Sequence, residues 1–385
     1  MKHLLTFSLL SGLLAVSASS QSLSFAPLLN PAPAGSIEPN WSSAPDGAVV
    51  LSWIDPAKDG TGALRFAVRR NSAWSEPRTI ASNRHFFRHP AEVPEVMATP
   101  GGHWIAHWVE LPNPASDAEY VYVSSSADGA HWTPPAQAHR DRSPVQHGLV
   151  SMLPEAGGGA SLFVLESLHG EDGPTYLIHS TVDSSGKQVK EEQLDEDVCS
   201  CCPTAVARTS KGLLLAYRDH TRSDIRDIAV MRFENGKWSP SKIVNADNWQ
   251  IDACPINAAA VAAAGDHVAI SWFTAAQNSP RVLAAFSSDA GATFSKPVTV
   301  STGRAHGYTS IAIDPASNSI VSWIEQGSSS ARVLVRRISS SGVAGPVLEI
   351  AKGDKSALGY PKLVRAGNET LIAWVSGNVK IGAIH

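Results

Sequence analysis

Short apolar runs separated by turn sequences recur along the chain beyond its amino-terminal segment. The run 48–53 is rich in β-branched residues, ends at Trp53 and follows a turn sequence at 45–47. Equivalent runs end at Trp272 and Trp323, and each again follows a turn sequence. Short runs of this kind, bounded by Gly, Pro, Asp and Asn, are typical of buried β-strands. Helical periodicity is absent beyond the amino-terminal segment, so the pattern predicts an all-β protein.

The strand-like runs belong to a repeat with a period of 52–55 residues. Most units begin at a proline and reach an aromatic residue about fourteen positions later, as from Pro39 to Trp53 or from Pro94 to Trp108. The seven units start at residues 39, 94, 149, 203, 255, 309 and 361. A period of this length, filled with short strands, is typical of a β-propeller. We therefore predict a seven-bladed β-propeller with four-stranded antiparallel blades and a functional site on its central channel.

The last unit has room for only three strands, whereas residues 23–27 resemble the sequence of a fourth strand. We expect this segment to pair with the seventh blade, because a ring closed in this way has no free sheet edge. Residues 21–385 would then form a single domain.

The first twenty residues have the features of a secretory signal. Lys2 precedes an apolar run at 4–16, and small residues follow at 18–20. This arrangement predicts a signal peptide over residues 1–20 and a secreted or periplasmic protein. No later run is long enough to span a membrane. The formal net charge of -4 gives no basic face for nucleic acid, so we expect neither a membrane span nor a nucleic-acid partner.

One segment carries a resemblance to a known family. Residues 287–294 place serine, aspartate, glycine, threonine and an aromatic residue in the order of an Asp-box, and a weaker copy at 125–132 has Ala127 where aspartate is expected. The pattern resembles the sialidase-like, or BNR-repeat, β-propellers, and the resemblance in architecture covers the whole predicted mature chain. In that family the Asp-box is a hairpin turn remote from the active site, so it supports the fold rather than an activity.

The resemblance also implies a search for sialidase chemistry, in which arginines bind a carboxylate and a tyrosine assisted by an acid is the nucleophile. Tyr308 occupies a place similar to the family's nucleophile, with Glu325 or Asp252 as the assisting acid. Glu92 stands where the family has an arginine, and its charge would repel a carboxylate. The remaining candidates for ligand binding around the channel are Arg218, Asp219, Arg226, Arg304 and Tyr360.

The cysteines are the sharper chemical signal. All four lie just before two repeated strand starts: Cys199, Cys201, Cys202 and Cys254. The repeat makes Cys202 and Cys254 equivalent residues of adjacent blades, so we expect both at one mouth of the channel. Three interpretations are open. The cysteines form disulfides, with a Cys202–Cys254 bond joining two blades; or they bind copper or zinc together with His147 and His306; or one thiol is reactive.

These observations favour an exported propeller that binds a small molecule, a glycan or a metal ion at a channel mouth lined by cysteine and histidine. Two other functions remain open. One is an exo-acting glycoside hydrolase of the sialidase type with Tyr308 as nucleophile. The other is a non-catalytic interaction scaffold whose cysteines form structural disulfides.

Overall fold

The computed structural model describes residues 22–89, 91–113, 116–171 and 173–385, so the predicted signal peptide lies outside the described residues. Seven separate antiparallel sheets form the blades of a β-propeller, which confirms the predicted fold class. Among the described residues, the only helix is the three-residue 3-10 turn Ala276–Asn278. Within the same part of the chain, no helix has both the length and the apolar character needed to cross a membrane.

Each blade is numbered from its inner strand, which lines the channel, to its outer edge. The first strand of the chain, which belongs to the seventh blade, is β1 (Phe25–Pro27). Blade 1 contains β2 (Ile37–Ser43), β3 (Val49–Pro56), β4 (Gly62–Arg70), β5 (Ala73–Trp74) and β6 (Arg78–Arg84). Blade 2 contains β7 (Glu95–Ala98), β8 (Trp104–Glu110), β9 (Tyr120–Ser126) and β10 (Ala136–Gln137). Blade 3 contains β11 (Gln146–Pro154), β12 (Ala160–Glu171), β13 (Thr175–Val182) and β14 (Gln188–Asp195).

The remaining blades follow the same order. Blade 4 contains β15 (Ala205–Thr209), β16 (Gly212–Arg218), β17 (Ile228–Glu234), β18 (Lys237–Trp238) and β19 (Lys242–Ile243). Blade 5 contains β20 (Ala260–Ala264), β21 (His267–Thr274), β22 (Arg281–Ser287) and β23 (Val298–Thr299). Blade 6 contains β24 (Ala305–Ile313), β25 (Ser319–Gln326), β26 (Ser330–Ile338) and β27 (Ala344–Asp354). Blade 7 contains β28 (Lys362–Ala366), β29 (Glu369–Val375) and β30 (Val379–Ile384).

The amino-terminal strand closes the ring, as predicted. Strand β1 pairs antiparallel with β30, and Phe25 lies opposite Ile384. The backbone groups of Ser24 and His385 exchange two further hydrogen bonds of 3.1 Å. The seventh blade therefore has four strands, three from the end of the chain and one from its start.

The repeated aromatic residue explains why the blades stack. Trp53, Trp108, Trp272 and Trp323 lie on the second strands of their blades and are at most 1% exposed. Each packs into a cluster shared with the preceding blade; Trp108, for example, contacts the same core as Phe66 of blade 1. A buried indole removes a large apolar area from water, so each of these residues stabilises the contact between neighbouring blades.

The inner strands surround a central cavity of about 520 Å³. Glu38 in β2, Leu149 in β11 and Tyr308 in β24 have left-handed φ angles of 52°, 54° and 53°, and Ile256, shortly before β20, has a φ of 48°. Side chains with a Cβ rarely adopt this conformation. The register of β2, β11 and β24 with the next strand shifts at these residues, so each of these inner strands has a bulge there.

The Asp-box forms the expected turn. Ser287 Oγ donates to Asp289 Oδ1 at 2.7 Å and accepts from the Gly291 amide at 2.9 Å. The weaker copy departs from the prediction, because Asp128, one residue after Ala127, supplies the turn carboxylate. Asp128 Oδ1 accepts two backbone amides of its own loop at 2.8 Å, so the second box is complete but one residue shorter.

Candidate functional site

The segments that precede the inner strands of blades 2, 3, 4 and 5 meet in a pocket of about 210 Å³ at one mouth of the channel. Its apolar wall consists of Phe87, Leu149, Leu165 and Ile256. Its polar lining consists of His89, Glu119, Gln146, Ser167 and Ser200. Cys201 and Cys254 complete the wall, so the pocket lies where the sequence placed a cysteine-lined mouth.

Two carboxyl groups near the mouth, those of Glu92 and Glu38, are buried. Glu92 is 2% exposed; its Oε2 accepts the Val150 amide at 3.2 Å, whereas its Oε1 has no hydrogen-bond partner among the described residues. Glu38 Oε2, in the neighbouring blade, is also buried and without a partner in that part of the chain. Burial, and then the charge of a neighbouring glutamate, raises the pKa of both carboxyls well above the usual range. In both groups, burial therefore favours the protonated form.

A third carboxyl group was not predicted. Glu119 lines the pocket, and burial, followed by the charge of Asp117, raises its pKa to about 7. A Cβ atom at position 148 would lie 3.1 Å from Glu119 Oε2 and 3.3 Å from Glu92 Oε2. Because Gly148 has no side chain, the two carboxyls face the same small space. The site thus places Glu119, whose pKa is about 7, beside Glu92, whose pKa is raised well above the usual range.

The cysteines divide into a bonded pair and a free pair. Cys201 and Cys254 form a disulfide between the segments leading to blades 4 and 5, whereas we expected Cys202 to be the partner of Cys254. The expected joining of the two blades is present, but the pairing is wrong by one residue. Cys199 and Cys202 are buried free thiols whose sulfur atoms lie 2.9 Å apart, and Cys199 Sγ is 3.8 Å from Cys201 Sγ.

The free thiols lie in an electropositive setting. Burial acts to raise the pKa of Cys199, but the hydrogen bond with Cys202 and the charges of Arg218 and Arg226 outweigh it and hold this pKa at about 6. Arg226 donates to Cys199 Sγ at 3.4 Å. Burial, together with Cys199, raises the pKa of Cys202. Cys199 is therefore the thiolate of the pair.

Of the six predicted metal ligands, Cys199, Cys201 and Cys202 have their sulfur atoms within 4.8 Å of one another. Cys201 and Cys254 are bonded to one another. His147 Nε2 lies 3.6 Å from Asp141 and from Glu166. His306 packs edge-on against Tyr308 with ring centres 4.8 Å apart. A thiolate metal site at Cys199 and Cys202 stays a prediction, but the predicted set of four cysteines and two histidines is divided among different places.

The predicted ligand-binding residues of blades 4 and 6 differ in their exposure and in their contacts. Arg218 is 1% exposed and donates to the carbonyl oxygens of Asn257, Arg226 and Phe273 at 3.0, 2.6 and 2.9 Å. Its guanidinium therefore connects three backbone segments through hydrogen bonds. Asp219 is partly buried, and burial followed by the charge of Asp195 raises its pKa to about 6. Arg304 is exposed on the loop before β24.

The residues predicted for tyrosine-based catalysis lie apart. Tyr308 packs edge-on against Tyr360 with ring centres 3.6 Å apart, and burial raises the pKa of Tyr308. Glu325 accepts from Arg332 at 2.8 Å, from the Gly303 amide at 2.9 Å and from Trp323 Nε1 at 3.1 Å. Asp252 is exposed on the loop before Cys254. None of the described hydrogen bonds joins Tyr308 to either acid, and the pairing of a tyrosine nucleophile with an acid stays a prediction.

The fold is shared with several solved proteins. The chain is similar to an ulvan lyase solved with a bound -[GlcA(1-4)Rha3S]- unit, with a TM-score of 0.57 and 10% identity over 93% of this chain and 95% of the lyase. It is similar to a Hadza microbial sialidase, with a TM-score of 0.51 and 14% identity over 87% and 75% of the two chains. The third is an α-L-arabinanase of Penicillium chrysogenum complexed with arabinobiose, with a TM-score of 0.50 and 10% identity over 93% and 96%.

Identities this low establish a common fold and nothing about the reaction. No sequence among the curated proteins matches the chain significantly. A family profile, described as the BNR repeat-like domain, matches residues 63–381, which is most of the chain. Together with the seven blades and the two Asp-box turns, this match shows that the protein belongs to the BNR repeat-like family.

Proposed function

We propose that the mouth pocket binds one sugar unit of a carbohydrate and that Glu119 exchanges a proton with it. The observation that carries this proposal is the pair of carboxyls behind Gly148. Glu119 has a pKa of about 7, and burial raises the pKa of Glu92 beside it well above the usual range. Two carboxyl groups whose environments shift their pKa values differently are the usual means of acid–base catalysis at a glycosidic bond.

The size and lining of the pocket support a ligand with one ring. A volume of about 210 Å³ is smaller than the roughly 300–1,000 Å³ of pockets that hold drug-sized ligands. A sugar ring has an apolar face and hydroxyl groups around its edge. Phe87 and Leu165 offer apolar surface for the first, and Gln146 and Ser167 offer hydrogen bonds for the second.

The fold supports the same class of ligand by analogy. Three proteins of similar fold are described as an ulvan lyase, a sialidase and an arabinanase, all of which act on carbohydrate. Their identity to this chain is too low to transfer a substrate or a catalytic residue. The analogy therefore supports carbohydrate as the ligand, and the choice of Glu119 rests on the geometry of the pocket.

The test is a screen of uronate-containing, arabinose-containing and sialic acid-containing oligosaccharides for binding and for release of new reducing ends. We expect one class to bind, and Glu119→Gln to lower turnover at least 100-fold while its affinity changes less than tenfold. Glu76→Gln, an exposed glutamate in blade 1, is the matched control and should behave as the wild type.

Two results would overturn the proposal. One is the absence of binding to every class; the other is turnover by Glu119→Gln that equals the wild-type rate. Tyr308→Phe distinguishes this mechanism from one with a tyrosine nucleophile. Turnover would be lost in the variant if Tyr308 were the nucleophile, whereas acid–base catalysis by Glu119 does not use the Tyr308 hydroxyl.

A further inference from the structure

The imidazole of His147 lies between blades 2 and 3, behind the mouth pocket, and is fully buried. Its Nδ1 is 3.1 Å from the carbonyl oxygen of Glu119. A carbonyl oxygen only accepts hydrogen bonds, so Nδ1 carries the proton and Nε2 carries a lone pair. Nε2 has no hydrogen-bond partner among the described residues. A buried acceptor without a partner costs free energy, and this is the tautomer that metal-ligating histidines adopt.

Two carboxylates face this lone pair. Asp141 Oδ2 and Glu166 Oε2 each lie 3.6 Å from His147 Nε2, and the three atoms lie within 4.8 Å of one another. Among the described ion pairs, neither carboxylate has a lysine or arginine partner. Three acceptor atoms that face one another in a buried place are stabilised by a positive charge between them.

The spacing identifies the kind of cation. A separation of 3.6 Å is too long for a hydrogen bond. Tetrahedral zinc with bonds of about 2.0–2.2 Å to nitrogen and oxygen places neighbouring ligand atoms about 3.3–3.6 Å apart. One imidazole and two carboxylates are also a common set of protein ligands for zinc. The Asp141 side chain is 31% exposed, so the site has access to solvent on one side.

We propose that Asp141, His147 and Glu166 form a binding site for a divalent first-row metal ion, with zinc the best match. Asp141 lies in the link between β10 and β11, His147 on β11 and Glu166 on β12. An ion here would fix that link to blade 3. It would also hold the hydrogen bond from His147 to the backbone of Glu119. The proposal is independent of the function proposed for the pocket.

The test is calorimetric titration of Zn²⁺ into the full chain after treatment with a chelator. We expect one strong site, and Glu166→Gln to weaken it at least 100-fold, because the amide removes a charged ligand with little change of shape. Glu155→Gln, on the same blade but bonded to Ser161, is the matched control and should bind as the wild type does. Circular dichroism of both variants verifies that they are folded.

A second arm separates this site from the thiols. In a Cys199→Ser, Cys202→Ser double variant, the strong site should remain. Co²⁺ bound in place of zinc should show ligand-field absorption without the intense thiolate-to-metal band. Zinc binding that is absent, that is unchanged in Glu166→Gln, or that disappears in the double cysteine variant would overturn the proposal. Unchanged binding in Glu119→Gln would show that the result does not depend on the pocket.

Discussion

The two sides of the channel mouth are built from different chemistry and differ in how far their polar groups are satisfied. On the side of blades 1 to 3, Glu38 Oε2, Glu92 Oε1 and His147 Nε2 are buried without a partner among the described residues. On the side of blades 4 and 5, Arg218 and Arg226 donate to backbone carbonyls and to Cys199. We call the first the carboxyl side and the second the sulfur side.

Buried polar groups are nearly always paired, and each unpaired one lowers the stability of the fold. A fold that keeps three such groups on one side of its mouth is less stable there than it could be, which is expected where a ligand or ion completes the bonding. Among the described residues of the sulfur side, the arginine side chains have hydrogen-bond partners. The comparison therefore supports our proposal of binding on the carboxyl side, although the cysteines were the more conspicuous feature of the sequence.

The largest effect is expected on the sulfur side, from Arg218→Met. This change leaves three buried carbonyl oxygens without their donor and should lower the free energy of unfolding by about 3–5 kcal/mol. Urea denaturation measures it. Arg304→Met removes an exposed arginine and is the control, with an expected change within about 0.5 kcal/mol. If the two variants were equally stable, the hydrogen bonds of Arg218 would not stabilise the sulfur side, and the two sides would not differ in this respect.

A smaller effect of opposite sign is expected on the carboxyl side, from Glu119→Gln. The pKa of Glu119 is about 7 in the folded chain and near 4.5 when unfolded, so folding favours the protonated form. Wild-type stability should therefore fall as pH rises from 4.5 through 7, and the variant should lack this loss. At pH 8 the variant should be more stable than the wild type by roughly 3 kcal/mol, and at pH 4 equal to it.

Denaturation at several pH values follows the Glu119 effect, with Glu76→Gln as the control that should run parallel to the wild type. If Glu119→Gln and the wild type kept a constant difference from pH 4 to pH 8, Glu119 would not titrate near neutrality. The carboxyl side would then lack the feature that most distinguishes it from the sulfur side, a carboxyl group that titrates near neutrality.

The smallest effect concerns the thiolate on the sulfur side. Arg226→Gln should raise the pKa of Cys199 from about 6 by roughly one pH unit, because it removes a positive charge that contacts the sulfur. Ultraviolet thiolate absorbance measures the midpoint, and Arg222→Gln, an exposed neighbour, is the control. An unchanged midpoint in Arg226→Gln would show that this arginine does not stabilise the thiolate.

The sign of the Cys199 contribution follows from the same pKa. An unfolded thiol ionises near 9, so the stabilisation is complete above pH 9 and is lost as the pH falls through 6.

The fold could be predicted because its determinants are local and repeated. A turn and a β-branched run recur in the blades, and five of the seven have a buried tryptophan that needs only its neighbouring blade to be buried. The closing strand could be predicted for a similar reason, because the last unit lacked one strand and residues 23–27 had its pattern. Trp323 and Glu325, two residues apart on β25, point to the same face, which explains why Glu325 meets the indole rather than Tyr308.

For the candidate pocket, only its position at the mouth of the channel could be predicted from the sequence. Glu119, Asp141 and Glu166 belong to no motif and occupy different positions of the repeat unit. The residues that each of them contacts therefore depend on how blades 2 and 3 stack. The disulfide was assigned to Cys202 because that residue precedes the strand, but the chain turns so that Cys201 faces Cys254. The repeat does not predict a position to within one residue, and a shift of one residue is enough to change the direction of a side chain.

The pairing of β1 with β30 has a consequence for how the molecule is assembled. The first strand of the ring cannot find its neighbour until residues 379–384 are present, so every earlier stage of folding has an open ring with one uncovered sheet edge. The contact that completes the ring has the greatest separation along the chain, and closing so long a loop is slow. We expect β1 to be the last strand to join, and a peptide with its sequence to compete for β30 during refolding.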